Sequence, residues 1–178
     1  MMRLQHPRIA PLPESEWTDE QREILARTTA RRDHPLNIFT TLARHAPLLK
    51  RWLVFGNHVL FGSTFPARER ELVILRVGAL CKSEYEFAQH TRIGKMCGLT
   101  DEEIDGVKLG IDAHPWTDRE RTLLVATDEL HADQMIGDAT WTALRGDWTE
   151  EQVMDFLFTV GQYTLVSMVL NTLGVQVE

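Results

Sequence analysis

The sequence carries the same helix-start signal at four places, and this signal favours a mainly helical fold. A threonine is followed three residues later by Glu or Gln at Thr18–Gln21, Thr100–Glu103, Thr117–Glu120 and Thr149–Gln152. In such a capping box each side chain bonds the other residue's backbone N–H, which satisfies donors that a helix start leaves unpaired. No stretch alternates apolar and polar residues between turn signals, as a strand would. We therefore predict an all-α, multi-helix bundle with short loops between antiparallel neighbours.

The length and the breaker residues predict one domain over residues 1–178. Residues 1–17 are predicted as an extended N-terminal arm, because Pro7, Pro11 and Pro13 disfavour a helix. Such an arm lies over its own core or reaches a neighbouring subunit. The predicted helices cover about 18–29, 36–44, 47–61, 66–80, 83–98, 100–108, 117–131, 138–145 and 149–173.

Charge and cysteine content argue against several classes of protein. The net charge is −7, and no cluster of Lys and Arg with interleaved aromatic residues is present, so nucleic acid is not an expected partner. Two cysteines, Cys81 and Cys97, do not make the disulfide framework of a small secreted domain. The first residues also lack the apolar core of a signal peptide. We expect a cytoplasmic protein.

The segment from Phe156 to Val177 contains no charged residue and is long enough to cross a membrane. It includes several polar residues, among them Thr159, Gln162 and Asn171, which are unfavourable in contact with lipid. A helix without a charged face must be covered by other protein. We therefore predict a helix buried in a core or a subunit interface, and no membrane contact.

The segment Pro66–Gly98 holds the candidate catalytic residues and is predicted to form two consecutive helices. On the second helix Ser83, Glu86 and His90 stand at positions i, i+3 and i+7, so they share one face. Glu71, on the first helix, meets that face if the two helices pack as a hairpin. Carboxylates, an imidazole and a hydroxyl that converge between helices form a candidate acid–base site. Its candidate catalytic residues are Glu71, Glu86 and His90.

Simpler interpretations of these residues stay open. Glu86 and His90 could form an exposed i, i+4 pair, which stabilises a helix by a few tenths of a kcal/mol. Glu71 could be a favourable acidic residue near a helix start. A metal site is another possibility, but a closed one needs about four ligands and the second helix supplies two, so a metal is not expected.

Five further residues are candidates for substrate binding. Arg76 interrupts an apolar run, and a buried arginine requires a carboxylate partner or an anionic ligand. Tyr85 could face the site or the core, and His58 fits a core or interface position on a largely apolar helix. Tyr163 interrupts the last helix, where a buried hydroxyl would need a hydrogen bond. Ser83 completes the set as the hydroxyl on the face of the acid–base residues.

The residues from Arg68 to Ile104 strongly resemble the signature of the carboxymuconolactone decarboxylase family, which includes the alkylhydroperoxidase-D-like (AhpD-like) proteins. The segment reads RERELVILRVGALCKSEYEFAQHTRIGKMCGLTDEEI. The pattern GQY…N…LG in the last helix is also similar to that of family members. The resemblance implies an all-α fold built around a helical hairpin. It also implies a homo-oligomer, often a trimer or a hexamer.

The peroxidase branch of this family has Cys-x-x-Cys and then a histidine four residues after the second cysteine. An alignment on Glu71 and His90 places Ser83 and Glu86 at the two cysteine positions, so thiol peroxidase activity is not expected. The branch without cysteines implies a cofactor-independent carboxy-lyase acting on a small carboxylated lactone or related carbonyl compound, in the catabolism of aromatic compounds. His90 would then be the general acid, Glu86 its orienting partner or proton shuttle, and Glu71 would tune the pair.

Other functions stay open, because the chain is longer than the small decarboxylases of this family. The same residues suit an isomerase or a hydratase. A non-catalytic oligomeric binding protein that kept the fold is a third hypothesis. An open cavity beside Glu86 and His90 would favour an enzyme. A space filled by Phe87 or Trp52 would favour the binding protein.

Overall fold

The computed structural model describes residues 4–29 and 34–178, and within these ranges all regular structure is helical. The predicted all-α class is therefore confirmed. Short 3-10 turns cover Glu14–Glu16, Ala43–His45 and Ile111–Ala113, and a π-helical turn covers His58–Gly62. The α-helices are α1 (Asp19–Ala26), α2 (Asn37–Leu42), α3 (Ala46–Asn57), α4 (Ala67–Leu80), α5 (Glu84–Met96), α6 (Asp101–Leu109), α7 (Asp118–Asp133), α8 (Asp138–Asp147) and α9 (Glu150–Leu173).

All four predicted capping boxes are present, and they start α1, α6, α7 and α9. At the start of α9 the Gln152 N–H donates to Thr149 Oγ1 at 3.2 Å, and the Thr149 N–H donates to Gln152 Oε1 at 3.1 Å. The large residue before this box, Trp148, is buried in the same apolar cluster as Val153. The local sequence thus determines where these helices begin.

Three predicted segments differ in detail from the structure. Pro66 was expected in the first turn of α4, but it is the extended residue before the helix, with a ψ of 143°. The predicted helix over 47–61 is α-helical only to Asn57 and continues as the π-helical turn. The predicted extended arm contains the 3-10 turn at Glu14–Glu16.

The arm packs on the helices of its own chain. The Arg8 N–H donates to the Leu173 carbonyl at 2.7 Å, and the Leu12 N–H donates to the Thr40 carbonyl at 3.1 Å. The Leu12 side chain is buried, and its carbonyl accepts a hydrogen bond from the indole N–H of Trp17 at 2.9 Å. Residues 1–3 of the predicted arm lie outside the described residues.

Helix α4 is the centre of the fold, because α5, α6, α7 and α9 all pack against it. Its residues from Arg70 to Gly78 are all buried. Val73, Ile74 and Val77 belong to the cluster shared with α7, α8 and α9, whereas Leu72 and Leu75 belong to the cluster shared with α6 and α7. A helix covered on all sides places any charged residue it carries in a low-dielectric environment.

Helix α9 has one buried face and one exposed apolar face. Phe156, Val160 and Tyr163 pack in the core with α4. Phe158 and Met168 are exposed on the other side. Among the described residues, α9 is the helix long and apolar enough to cross a membrane, and half of its most apolar window is buried. The predicted burial of this helix therefore holds for one face of the single chain.

Candidate active site

Three charged side chains meet between α4 and α5, with His90 in the middle. The Nδ1 atom of His90 lies 2.6 Å from Glu71 Oε2, and its Nε2 atom lies 3.1 Å from Glu86 Oε1. Glu71 is completely buried, and Glu86 and His90 are each 5% exposed. The helical hairpin thus brings together the three candidate catalytic residues. The alternative of an exposed pair on α5 is wrong, because α4 covers this face.

Both carboxylates favour the protonated form of His90. Burial alone would lower the pKa of His90, but the hydrogen bonds to Glu71 and Glu86 and their negative charges outweigh it. The net effect raises the pKa of His90 from 6.5 to about 9. At neutral pH the imidazolium donates from both ring nitrogens, so it holds a proton between two acceptors.

Arg70, which was not predicted as a site residue, adds a second cation beside this group. Its Nε atom lies 3.6 Å from Glu71 Oε1, which is too long for a hydrogen bond but close enough for charge pairing. With Arg70 and His90 both positive and Glu71 and Glu86 both negative, the charges of the buried group balance. Balanced charge lowers the cost of keeping ionised groups inside the protein.

A cavity of about 450 Å³ opens directly onto this group, and both Glu86 and His90 line it. Glu71 lies behind His90 and does not reach the cavity wall. Apolar side chains from α2, α3 and α9 form much of the remaining wall, among them Ile38, Phe39, Trp52, Leu53 and Val166. A volume of this size suits a small organic molecule.

Tyr163 and Tyr85, both predicted as binding residues, line the same cavity. The Tyr163 ring stands edge-on to His90, with 4.8 Å between the ring centroids. Burial and the charges of Glu86 and Glu71 raise the pKa of Tyr163 well above its ordinary value, so its hydroxyl stays protonated. Within the described residues this hydroxyl forms no hydrogen bond. It is therefore free to donate to a molecule in the cavity.

Two buried amides in the cavity wall were not predicted as binding residues. Gln89 on α5 and Gln162 on α9 are both buried and line the cavity. Their positions next to His90 and Tyr163 in the sequence were the available signal. Buried amides need hydrogen-bonding partners, and a cavity wall is a place where a ligand provides them.

Ser83 does not line this cavity, although the i, i+3, i+7 spacing predicted that it would. It precedes α5 with an extended backbone, φ −92° and ψ 96°, so helical periodicity does not apply to it. Ser83 lines a separate surface depression of about 530 Å³ together with Lys82 and Lys108. The prediction that Ser83 lies with the acid–base residues in the cavity wall is therefore corrected.

Arg76 also lies away from the cavity. Its guanidinium forms two hydrogen bonds of 2.6 Å with the Asp128 carboxylate on α7, and a third with the Val107 carbonyl at 2.8 Å. This is the structural ion pair that the sequence left open as one alternative. The other alternative, contact with an anionic substrate in this cavity, does not agree with its position.

His58 lies at the start of the π-helical turn, and its side chain is 58% exposed. Its Nε2 atom is 3.4 Å from Asp155 Oδ1, and it does not line the cavity. The core position predicted for His58 is therefore wrong, whereas the interface position stays a prediction. The largely apolar helix on which it was placed changes to a π-helical turn at this residue, so His58 does not follow the direction of a regular helix.

The two cysteines and the ring nitrogens of His90 are groups that could carry thiol or metal chemistry. Cys81 and Cys97 do not line it. Both ring nitrogens of His90 already face carboxylate oxygens. In the part of the chain that the structure describes, no group of three or more His, Cys, Asp or Glu residues is placed to hold a metal ion.

Known structures share this fold at low sequence identity. An AhpD-core, peroxidase-related protein from Ralstonia eutropha JMP134 is 21% identical, with a TM-score of 0.84 over 97% of this chain and 94% of that one. A peroxidase-related protein from Silicibacter sp. TM1040 is 18% identical, with a TM-score of 0.81 over 98% and 91%. The debrominase Bmp8, in a complex with 2,3,4-tribromopyrrole, is 10% identical, with a TM-score of 0.81 over 98% and 93%.

The sequence comparisons address the family. No curated protein sequence matches the chain. Residues 46–129, which contain the helical hairpin and all three charged residues of the site, match the Carboxymuconolactone decarboxylase family. The segment that holds the site is thus similar to the carboxymuconolactone decarboxylase family, and the whole chain shares its fold with these solved structures.

Proposed function

We propose that this protein is a cofactor-independent acid–base enzyme that acts on a small carbonyl compound. The observation that carries the proposal is the position of Glu86 and His90 in the wall of a cavity of about 450 Å³, with Glu71 holding His90 from behind. A proton held between two carboxylates beside a ligand-sized space is suited to general acid–base catalysis.

The state of the cavity favours an enzyme over a binding protein that lost its activity. Trp52 forms part of the wall and leaves the space open, and Phe87 does not line it. A buried group of four charges is costly when it has no role, because replacing such a group by apolar residues often leaves stability unchanged or higher. The presence of this buried charged group next to an open cavity therefore supports a catalytic role.

The geometry suggests a path for the proton. Glu86 faces the cavity and also lies 3.1 Å from the Nε2 atom of His90. Glu86 delivers a proton to a substrate carbon or removes one from it, and the Nε2–H of His90 replenishes or stabilises that carboxylate. Glu71 keeps His90 oriented and protonated through Nδ1. In this assignment His90 works through Glu86, which corresponds to the proton-shuttle role that the sequence analysis left open for Glu86.

Decarboxylation of a carboxylated lactone is the specific reaction that the family suggests. The bond between the ring carbon and the carboxylate breaks, carbon dioxide leaves, and the electron pair moves into the conjugated lactone carbonyl. The Tyr163 hydroxyl is placed to stabilise the oxygen that becomes negative. His90 passes its Nε2 proton to Glu86, and a ring carbon takes this proton from Glu86, which leaves His90 neutral until solvent reprotonates it. A bound ring of this size also agrees with the tribromopyrrole complex of the debrominase Bmp8.

Isomerisation is the second candidate, and the position of Arg76 favours it. The cation expected to hold a substrate carboxylate is bound to Asp128 instead. Apart from the His90 imidazolium, the cations among the described residues that line the cavity are Arg27 and Lys50, and both are exposed. A substrate without a carboxylate needs neither of them, since Glu86 would remove a proton from one carbon and return it to another.

The test uses γ-carboxymuconolactone and the corresponding lactone without the carboxylate, each in D2O. Release of carbon dioxide and loss of lactone absorbance report decarboxylation, and deuterium incorporation seen by NMR reports proton transfer in either substrate. We expect at least one activity in the wild type, lost by about 100-fold or more in Glu86→Gln. Glu84→Gln, an exposed carboxylate of the same helix, is the matched control. If the wild type shows neither activity, the proposal is refuted for these substrates.

A further inference from the structure

The carboxylate of Glu178 is held by residues that belong to the cavity wall. Its Oε1 atom accepts a hydrogen bond from the Tyr85 hydroxyl at 2.9 Å, and its Oε2 atom accepts one from the Gln89 amide at 2.5 Å. The backbone N–H of Asn37 also donates to Oε1, at 2.6 Å. Tyr85 itself accepts from the Ile38 N–H at 3.3 Å. Buried donors from α5 thus converge on one carboxylate.

These donors and the acid–base residues form two neighbouring rows on α5. Tyr85 and Gln89 are one turn apart, and Glu86 and His90 are one turn apart at the next positions. All four residues line the same cavity. Successive residues on a helix differ by about 100° in direction, so the two rows lie side by side. A carboxylate held by Tyr85 and Gln89 therefore lies beside the row that holds Glu86, although Glu178 itself is not part of the cavity wall.

The donors and the carboxylate they hold differ in burial. Tyr85 and Gln89 are buried, whereas Glu178 is exposed and follows α9 in a segment without regular structure. Burial raises the pKa of Tyr85, so its hydroxyl remains a donor at any ordinary pH. Donors buried in a wall are costly without a partner, but a ligand oxygen satisfies them as well as Glu178 does.

We propose that Tyr85 and Gln89 form a carboxylate-binding subsite and that Glu178 occupies it until the carboxylate of a ligand displaces it. This inference rests on the proposed function only in placing the bound molecule beside the acid–base residues. It assigns carboxylate recognition to neutral donors, in the place of the arginine that the sequence suggested. Hydrogen bonds from neutral donors to a charged oxygen are stronger than those between neutral groups.

The test measures binding without turnover. The probes are 2-furoate, a carboxylate on a small oxygen-containing ring, and the neutral 2-furamide. Their dissociation constants are measured by ligand-observed NMR for the wild type, Glu178→Ala and Glu178→Gln. Both substitutions remove the Glu178 carboxylate, which competes for the subsite. They are expected to lower the dissociation constant of 2-furoate about 10-fold, which corresponds to about 1.4 kcal/mol. Binding of 2-furamide is expected to change less than 2-fold.

A second substitution shows whether the donors themselves recognise the probe. Gln89→Leu in the Glu178→Ala background is expected to reverse the gain for 2-furoate, because one of the donors is lost. Glu151→Ala, an exposed carboxylate at the start of α9, is the matched control and should leave both constants unchanged. Circular dichroism establishes that each variant is folded.

The subsite would be overturned if Glu178→Ala changed the dissociation constants of 2-furoate and 2-furamide equally, or changed neither of them. This outcome is independent of catalysis. Should Glu86→Gln retain full turnover while Glu178→Ala still tightens 2-furoate, the subsite would stand and the proposed function would fail. If Glu86→Gln lost turnover while Glu178→Ala left the binding of 2-furoate unchanged, the acid–base assignment would stand and the subsite would fail.

Discussion

The Nδ1 atom of His90 lies 2.6 Å from Oε2 of Glu71, which joins α5 to α4 across nineteen positions of the sequence. This contact turns a local pair on α5 into a buried group of three residues. It also fixes the ring of His90 so that Nε2 faces Glu86. The orientation and the protonation of the group that faces the cavity therefore depend on a residue that the cavity does not reach.

Replacing this hidden carboxylate should change the protonation of His90. Glu71→Gln keeps the size of the side chain but removes its charge, so the pKa of His90 should fall from about 9 toward its ordinary 6.5. An NMR titration of the imidazole measures this change. Glu69→Gln on the same helix serves as the control. An unchanged pKa of His90 in Glu71→Gln would contradict the assigned role of Glu71.

The raised pKa of His90 also predicts how stability depends on pH. Folding raises this pKa from 6.5 to about 9, so the protonated imidazole stabilises the folded state. The contribution is fully present below about pH 6.5 and is lost as the pH rises through about 9. Its upper limit is on the order of 3 kcal/mol.

Urea unfolding at pH 6, 7.5 and 9.5 measures this contribution. The free energy of unfolding of the wild type should fall over this range, and that of His90→Gln should fall much less. His6→Gln, which changes an exposed histidine, should behave like the wild type. Parallel pH dependences for the wild type and His90→Gln would show that His90 gains no protonation on folding.

Local sequence signals predicted the helices and the pairing of the three charged residues. Capping boxes are satisfied within four residues, so they act before tertiary structure is known. The spacing of Glu86 and His90 on one helix, with Glu71 on the helix before it, was also a local property. These predictions succeeded because the hairpin connects consecutive elements of the chain.

The remainder of the site depends on distant contacts or on departures from regular helix. Tyr163 reaches His90 from α9, and Glu178 reaches Tyr85 and Gln89 from beyond α9. No local pattern specifies such contacts. Ser83 and His58 were misplaced for another reason. Ser83 lies just before a helix, so the 3.6-residue period used for it did not apply, and His58 lies in a π-helical turn that replaces the end of its predicted helix.

The Arg76–Asp128 pair is expected to matter for stability and not for catalysis. Asp128→Ala leaves a buried guanidinium without its carboxylate, which should cost about 2 to 4 kcal/mol. Arg76→Met removes the buried charge together with the need for a partner, so it should cost less. Urea unfolding measures both values. A change in the turnover number of folded Arg76→Met by more than about 3-fold would contradict this structural role.

The exposed face of α9 is expected to bind a second copy of the chain. Met154, Phe158, Leu165 and Met168 are each about half exposed or more, and they recur at spacings of four, seven and three residues along one side. These positions match the a and d positions of a heptad pattern, with Gly161 in the gap between Phe158 and Leu165. Phe156 to Val177 carry no charge that would oppose the approach of an identical helix.

Sedimentation equilibrium of the wild type should therefore show an oligomer, as the resemblance to the family predicted. Phe158→Glu and Leu165→Glu each place a charge in the contact and should shift the equilibrium toward monomer. Met96→Glu, which changes a more exposed apolar residue on α5, should not. A monomeric wild type would contradict the prediction. Co-sedimentation with phosphatidylcholine vesicles that Phe158→Glu abolishes would show that this face binds lipid instead.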